Sequence, residues 1–263
     1  SVIGPAVILG MMGLWDDLRN LSPLPRFIAQ TLAGIFTSFV LINGKTLGIP
    51  TTSRALDAVI TTVWIVGVCN SINFFDNLDG GASGTVAISS LALFILAFNG
   101  SQFLIAALAV VIAGSTFGFL LWNKSPARIY MGDAGALFLG ILIASLTIRL
   151  KPDFDSPAAS LLTPILLLAV PILDTSVAVT SRIARGLSPL QGGKDHLSHR
   201  LMRKGLSKPQ AAFTLWGLTG VFSLVALVMV QFPKTNQNYL LASFGSFWCL
   251  LFVFFFRISH EDK

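Results

Sequence analysis

Long apolar runs separated by short polar segments recur through the whole chain. A bilayer core of about 30 Å needs roughly 20 apolar residues per helix, and fewer where a span is short or shielded by its neighbours. Nine segments meet that requirement: Val2–Trp15, Phe27–Ile42, Leu56–Ser71, Ala82–Phe98, Gln102–Trp122, Ala134–Ile148, Ala158–Thr180, Ala211–Val230 and Tyr239–Phe256. The pattern predicts an all-α, polytopic integral membrane helix bundle of about nine transmembrane helices in a single domain, residues 1–263. No internal repeat, low-complexity tract or long linker interrupts it. Pro164 and Pro171 fall inside the seventh span and predict a kink there, tolerated because neighbouring helices can satisfy the freed carbonyls.

Composition agrees: 54% of residues are hydrophobic and 11% charged, against about 25% charged in an ordinary soluble domain. Charge then orients the bundle. Thirteen of the eighteen Lys and Arg fall in loops on one side, and only Lys45, Arg54, Arg149, Lys151 and Lys234 on the other. The positive-inside rule makes the richer side cytoplasmic. Topology therefore accounts for much of the pI near 9.7, which is no sign of a nucleic-acid partner. Cys69 and Cys249 both lie in spans and read as apolar filler, not as a disulfide. Nine spans ending inside place Ser1 outside, as in a chain that lacks an even number of preceding spans.

Three acidic motifs share the cytoplasmic face. Asp16-Asp17 closes the first span, where the negative end of a helix dipole disfavours carboxylates by about 0.3–1 kcal/mol each. Solvation with help from Arg19 or Arg26 would compensate, and so would a divalent cation or a transferable proton. After the third span comes Asn70-Ser71-Ile72-Asn73-Phe74-Phe75-Asp76-Asn77-Leu78-Asp79-Gly80. Asn70, Asn73 and Asp76 are three apart and fall along one helical face, with Asn77 adjacent. Such a stripe in a membrane span points to a polar cavity or a ligand. Asp79-Gly80-Gly81 predicts a turn, with Ser83 as cap of the next helix. Before the sixth span, Asp133 in Met131-Gly132-Asp133-Ala134-Gly135 is either a helix N-cap or a metal-bound carboxylate beside an anion site.

A fourth feature, the loop from Ser181 to Pro209, concentrates Lys194, His196, His199 and Arg200 in nine residues. A purely topogenic role accounts for several of its cations. With carboxylates opposite, the segment reads as the phosphate-binding half of a site. Mg²⁺ takes few protein carboxylates and shares its shell with substrate phosphates, so these parts together point to phosphoryl chemistry. At a membrane face, one substrate is a lipid.

In order along the chain, Gly13-Leu14-Trp15-Asp16-Asp17, Leu21-Ser22-Pro23 through Gln30, Asn70 through Gly80, Met131 through Gly135 with Leu139-Gly140, Pro171 through Thr175, and His196-Leu197-Ser198-His199 resemble the polyprenyl-phosphate sugar-1-phosphate transferases, glycosyltransferase family 4. The resemblance implies transfer of an N-acetylhexosamine 1-phosphate from a UDP-N-acetylhexosamine to a polyprenyl phosphate lipid in a bacterial cytoplasmic membrane. It implies Mg²⁺, or Mn²⁺ in its place, and a homodimer as one admissible state. By resemblance Asp133 is the metal ligand, Asp16, Asp17, Asp76 and Asp79 are the catalytic carboxylates, and Asn70, Asn73, Arg26, Lys194, His196, His199 and Arg200 bind substrate. The lipid I synthase branch is similar but carries three consecutive His where this chain has Asp195-His196-Leu197-Ser198-His199, which favours the N-acetylglucosamine branch. Family members also have two earlier spans and a Pro-Thr-Pro-Arg-Gly-Gly-like stretch that this chain lacks. An intramembrane aromatic prenyltransferase would leave Gly-Asp-Ala-Gly and the histidines unexplained. A transporter would place its acids near the midplane and show repeats.

Overall fold

A computed structural model describes residues 2–152, 157–189, 192–230, 232 and 234–258. Those residues form eleven helices and no strand: α1 Ile3–Arg19, α2 Pro23–Asn43, α3 Arg54–Phe75, α4 Gly81–Asn99, α5 Phe103–Asn123, α6 Gly132–Arg149, α7 Pro157–Leu167, α8 Ala169–Ala184, α9 Leu197–Arg203, α10 Lys208–Met229 and α11 Lys234–Phe256. All nine expected segments are helical. Six helices are individually long and apolar enough to cross a membrane, and α7 with α8 makes a seventh if the pair is one span.

The expected kink is a break. α7 and α8 meet at 75° around Leu168, between the two prolines. Pro171 has no N–H to give the carbonyl four residues back, at Leu167. Ser89 Oγ on α4 donates to that carbonyl at 2.6 Å, and Trp248 Nε1 on α11 donates to Ala169 O at 3.3 Å. The bend thus satisfies its carbonyls from neighbouring helices.

α1 packs on α6, α6 on α3, and α3 on α2 and α8, while α4 lies against α5 and α10. α4 is the most enclosed of the long helices, which fits its nearly uniform apolarity. The α1–α6 approach depends on Gly13: a Cβ there would collide with the Asp133 carbonyl. Both cysteines are free, Cys69 buried and Cys249 exposed.

Two local expectations change. α3 runs four residues past its predicted end, so Asn73 lies inside the helix and Asp76 becomes its C-cap. Ser83 does not cap α4. Gly80, in a left-handed conformation at φ 75°, takes that position, and Ser83 Oγ donates to Asn123 Oδ1 at 2.8 Å.

Candidate active site

The C-terminal end of α1, the N-terminal turn of α6, the C-terminal end of α3 and the start of α2 meet at one end of the bundle. Between them lies a cavity of about 380 Å³ lined by Asp16, Asp17, Asn20, Leu21, Arg26, Asn73, Asp76, Gly132 and Asp133. Three sequence-distant motifs therefore share one polar cavity.

Within it each carboxylate has a different environment. Asp16 is buried; Leu21 N donates to its Oδ1 at 2.6 Å, and Arg26 Nη1 lies 2.7 Å from its Oδ2. The same Nη1 donates to Asp133 Oδ2, so one guanidinium bridges α1 and α6. Asn73 Nδ2 donates to Asp133 Oδ1 at 2.6 Å. Asp133 is not an N-cap. The capping group of α6 comes from α1: Asp17 accepts from Asp133 N at 2.9 Å and from Ala134 N at 3.1 Å. A carboxylate on these unpaired amides, at the positive end of the α6 dipole, is in a favourable place. Gly132 permits it, with φ 63° and Asp17 Oδ2 only 2.7 Å from where a Cβ would stand.

Asp76 is the unstable charge. Burial, and then the neighbouring carboxylates of Asp133 and Asp17, push its pKa up to about 7, against a hydrogen bond from the Gly132 amide. A cation in the cavity would reverse that shift.

On the other side of the α3 terminus lies the histidine segment. Ser198 Oγ donates to Asn77 Oδ1, and the Phe74 ring meets His196 edge-on at a centroid distance of 6.1 Å. Asp174, on α8, accepts from Leu197 N at 2.6 Å and pairs with His196 Nδ1 at 2.7 Å. Arg182 Nη2 lies 3.2 Å from His196 Nε2. A guanidinium only donates, so Nε2 accepts, and Nδ1 donates to Asp174. Arg182 also donates from Nε to Asp195 Oδ2 at 2.9 Å, and Arg185 Nη2 donates to Asp195 Oδ1. Burial alone would raise the Asp195 pKa, but the Arg182 hydrogen bond and the two guanidinium charges outweigh it and hold the carboxyl below its usual range. His199 is half-buried; burial, followed by the charges of its cationic neighbours, holds its pKa below the usual value.

The candidate residues accordingly divide. Asp16, Asp17, Asp76, Asp133, Asn73 and Arg26 line the cavity, and His199 lies in the histidine segment against His196 and Ser198. His196 is nearby, but both its ring nitrogens are engaged within the protein. Three others are committed elsewhere. Asn70 Nδ2 donates to Gln30 Oε1 at 2.6 Å and joins α3 to α2. Asp79 accepts from Ala127 N at 3.3 Å and ties down the α5–α6 connection. Arg200 is fully buried: it donates to the carbonyls of Asp195, Phe255, Phe256 and Ile258 and to Ser181 Oγ, clamping the end of α11. Lys194 is exposed, and its carbonyl accepts from Arg203. Arg200 is held in this clamp, and Asn70 and Asp79 are not among the residues that line the cavity.

Sequence reasoning passed over Asp174, Arg182, Asp195 and Ser198 as members of the site. Asp174 carried a usable signal, a carboxylate inside an apolar span. Arg182 and Asp195 carried none, since a cation and an acid in a basic loop look like ordinary solvated charges.

A bundle of membrane-spanning helices with a carboxylate-lined cavity at its helix ends defines a polytopic membrane protein whose polar site opens at one face of the bundle. The chain belongs to glycosyl transferase family 4, whose profile matches residues 1–151. A "Probable undecaprenyl-phosphate N-acetylglucosaminyl 1-phosphate transferase" of Bacillus subtilis is 32% identical over 258 residues, covering 96% of this chain and 68% of the relative. A "Decaprenyl-phosphate N-acetylglucosaminephosphotransferase" of Mycolicibacterium smegmatis is 30% identical, with 87% of this chain and 64% of the relative covered. A "Phospho-N-acetylmuramoyl-pentapeptide-transferase" of Listeria monocytogenes is 29% identical, with 86% and 72% covered. The chain thus spans about two thirds of the length of these curated relatives.

Proposed function

We propose that the protein transfers N-acetylglucosamine 1-phosphate from UDP-N-acetylglucosamine to a polyprenyl phosphate, at the cytoplasmic face of a bacterial membrane. The observation that carries this reading is the gathering of Asp16, Asp76 and Asp133 with Asn73 and Arg26 around one cavity beside the histidine segment. The names of the N-acetylglucosamine-transferring relatives, matched over most of this chain, support the choice of sugar and acceptor.

In the reaction, an oxygen of the lipid phosphate attacks the phosphorus attached to the sugar. The bond from that phosphorus to the bridging oxygen breaks, and UMP leaves with that oxygen. Carboxylates alone would repel both phosphates, so a cation must enter with them. Among the described residues no three His, Cys, Asp or Glu are grouped to hold an ion by themselves. The donors nonetheless fit Mg²⁺, or Mn²⁺ in its place, which binds through one or two carboxylates and completes its shell with water and substrate phosphate. Arg26, lodged between Asp16 and Asp133, marks where positive charge is stabilised. Asp133 with Asp76 would hold the ion, and the ion would polarise the phosphoryl oxygen. Asp16, hydrogen-bonded by the Leu21 amide, faces the acceptor. Arg26 is the cation available to a phosphate once released from the carboxylates. Asp17 sets the α6 terminus, so its effect on the reaction runs through Asp133. His199 can donate to a phosphate, while His196 holds α9 in place.

The test is UMP release by the full-length protein in membranes. Release from UDP-N-acetylglucosamine that requires both polyprenyl phosphate and Mg²⁺ is expected. Release with UDP-N-acetylmuramoyl-pentapeptide and not with UDP-N-acetylglucosamine would move the protein to the activity named for the Listeria relative.

A further inference from the structure

At the opposite end of α3, about 28 Å from Asp76 at 1.5 Å per residue, lies a second cavity of about 590 Å³ between α3, α6 and α7. Its volume is that of pockets that bury a small ligand. Leu47, Ile60, Trp64, Ile148 and Ile165 make most of its wall apolar.

Two polar groups interrupt that wall. Asp57, in the first turn of α3, is only 5% exposed; its Oδ1 accepts from Thr51 N at 2.6 Å. Among the described residues no Lys, Arg or His pairs with it. One turn deeper on the same helical face, Thr61 lines the cavity, is 0% exposed, and its hydroxyl has no hydrogen-bond partner among the described residues. The positive end of the α3 dipole and the Thr51 amide meet part of the cost of burying Asp57, but no side-chain counter-charge does, and the Thr61 hydroxyl is unmet; one ligand that carries N–H donors and positive charge supplies both.

We propose that this cavity binds an amine-headed phospholipid of the phosphatidylethanolamine class, with the ammonium at Asp57 and hydrocarbon along the apolar wall. The apolar lining selects a lipid over a free amine or a metal ion. The carboxylate selects against an anionic headgroup, and the need for N–H donors selects against a quaternary choline, which has none. The inference is independent of the transfer reaction proposed for the other end.

Native mass spectrometry of the full-length protein in detergent tests it, using ethanolamine, choline and glycerol phospholipids with identical chains. The ethanolamine lipid should be retained at least about five-fold better than the other two, a difference of about 1 kcal/mol. In Asp57→Asn, with its fold checked by thermal melting, that preference should vanish, and in Thr61→Val it should weaken. If Asp57→Asn does not fold, the N-methylated headgroup series on the unaltered protein decides, because retention should fall with each methyl added. Equal retention of ethanolamine and choline lipids, an unchanged preference in Asp57→Asn, or displacement of the amine lipid by polyprenyl phosphate would overturn the proposal.

Discussion

The acidic cavity and the histidine segment sit side by side at the α3 terminus, yet their charges are treated in opposite ways. In the cavity, carboxylates outnumber their partners: Arg26 is shared by Asp16 and Asp133, and Asp76 is left with its pKa raised to about 7. Around α9 the buried charges interlock: Arg182 serves Asp195 and His196, Asp174 serves His196 and the Leu197 amide, and Arg200 serves a row of carbonyls. The contrast separates a region held short of positive charge, ready to accept a cation and phosphates, from a region whose charges are consumed in fixing shape. Buried charges that are fully partnered define geometry, and those left short of partners define where a ligand adds stability.

The largest effect expected lies in the interlocked region. Arg182→Ala should destabilise the protein by about 3–5 kcal/mol, the loss typical when one partner of a buried ion pair is removed. Thermal unfolding in detergent measures it, and a change below about 1 kcal/mol would deny that the segment is a rigid scaffold. In the cavity the expectation reverses. Asp133→Asn should leave melting nearly unchanged while kcat/KM falls by about 10²–10³-fold, as when a group that stabilises developing charge is removed. Unchanged turnover would remove Asp133 from the reaction.

Asp17 belongs to both regions, lining the cavity while capping a helix. Asp17→Asn keeps one oxygen for the α6 amides but loses the second acceptor and the charge at the helix terminus, so a stability loss of about 0.3–1 kcal/mol is expected. Its activity loss should be smaller than that of Asp133→Asn, and the reverse ranking would make Asp17 the principal group.

The smallest effect is the proton on Asp76. Its folded pKa, about 7, is above its ordinary value of 3.8, so its contribution to stability is complete below about pH 3.8 and is lost as pH rises through about 7. Metal-free protein should therefore lose a little stability between pH 6 and 8, and Asp76→Asn should not. Because a bound cation favours the carboxylate, the apparent Mg²⁺ affinity should strengthen over the same interval. A pH-independent affinity would show that Asp76 does not face the ion.

Much of this was legible in the chain. The nine apolar segments, a bend at Pro164 and Pro171, and the meeting of Asp16-Asp17, Asn73, Asp76 and Asp133 all follow from hydropathy, proline chemistry and the cost of acids in a membrane protein. Exchange of roles between motifs was not legible. Nothing local says that Asp17, not Asp133, caps α6, because the accepting carboxylate lies 116 and 117 positions from the two amides that donate to it. The Asn70-to-Asp76 stripe divides: Asn73 and the C-cap Asp76 line the cavity, while Asn70, one turn deeper in α3, meets Gln30 of α2, a partner that spacing along α3 does not reveal. Arg200 looked like a phosphate ligand because its sequence neighbours are His and Lys. Its partners include the carbonyls of Phe255 and Ile258 near the other end of the chain, which no periodicity connects to it.

The central claim, that the acidic cavity takes up a divalent cation together with a diphosphate, is tested most directly by counting Mn²⁺ bound to the full-length protein by electron paramagnetic resonance, with and without a UDP-sugar. About one tightly held Mn²⁺ per protein that depends on the nucleotide and disappears in Asp133→Asn is the expected result. Equal Mn²⁺ binding by the unaltered protein and Asp133→Asn, with the nucleotide present, would contradict it.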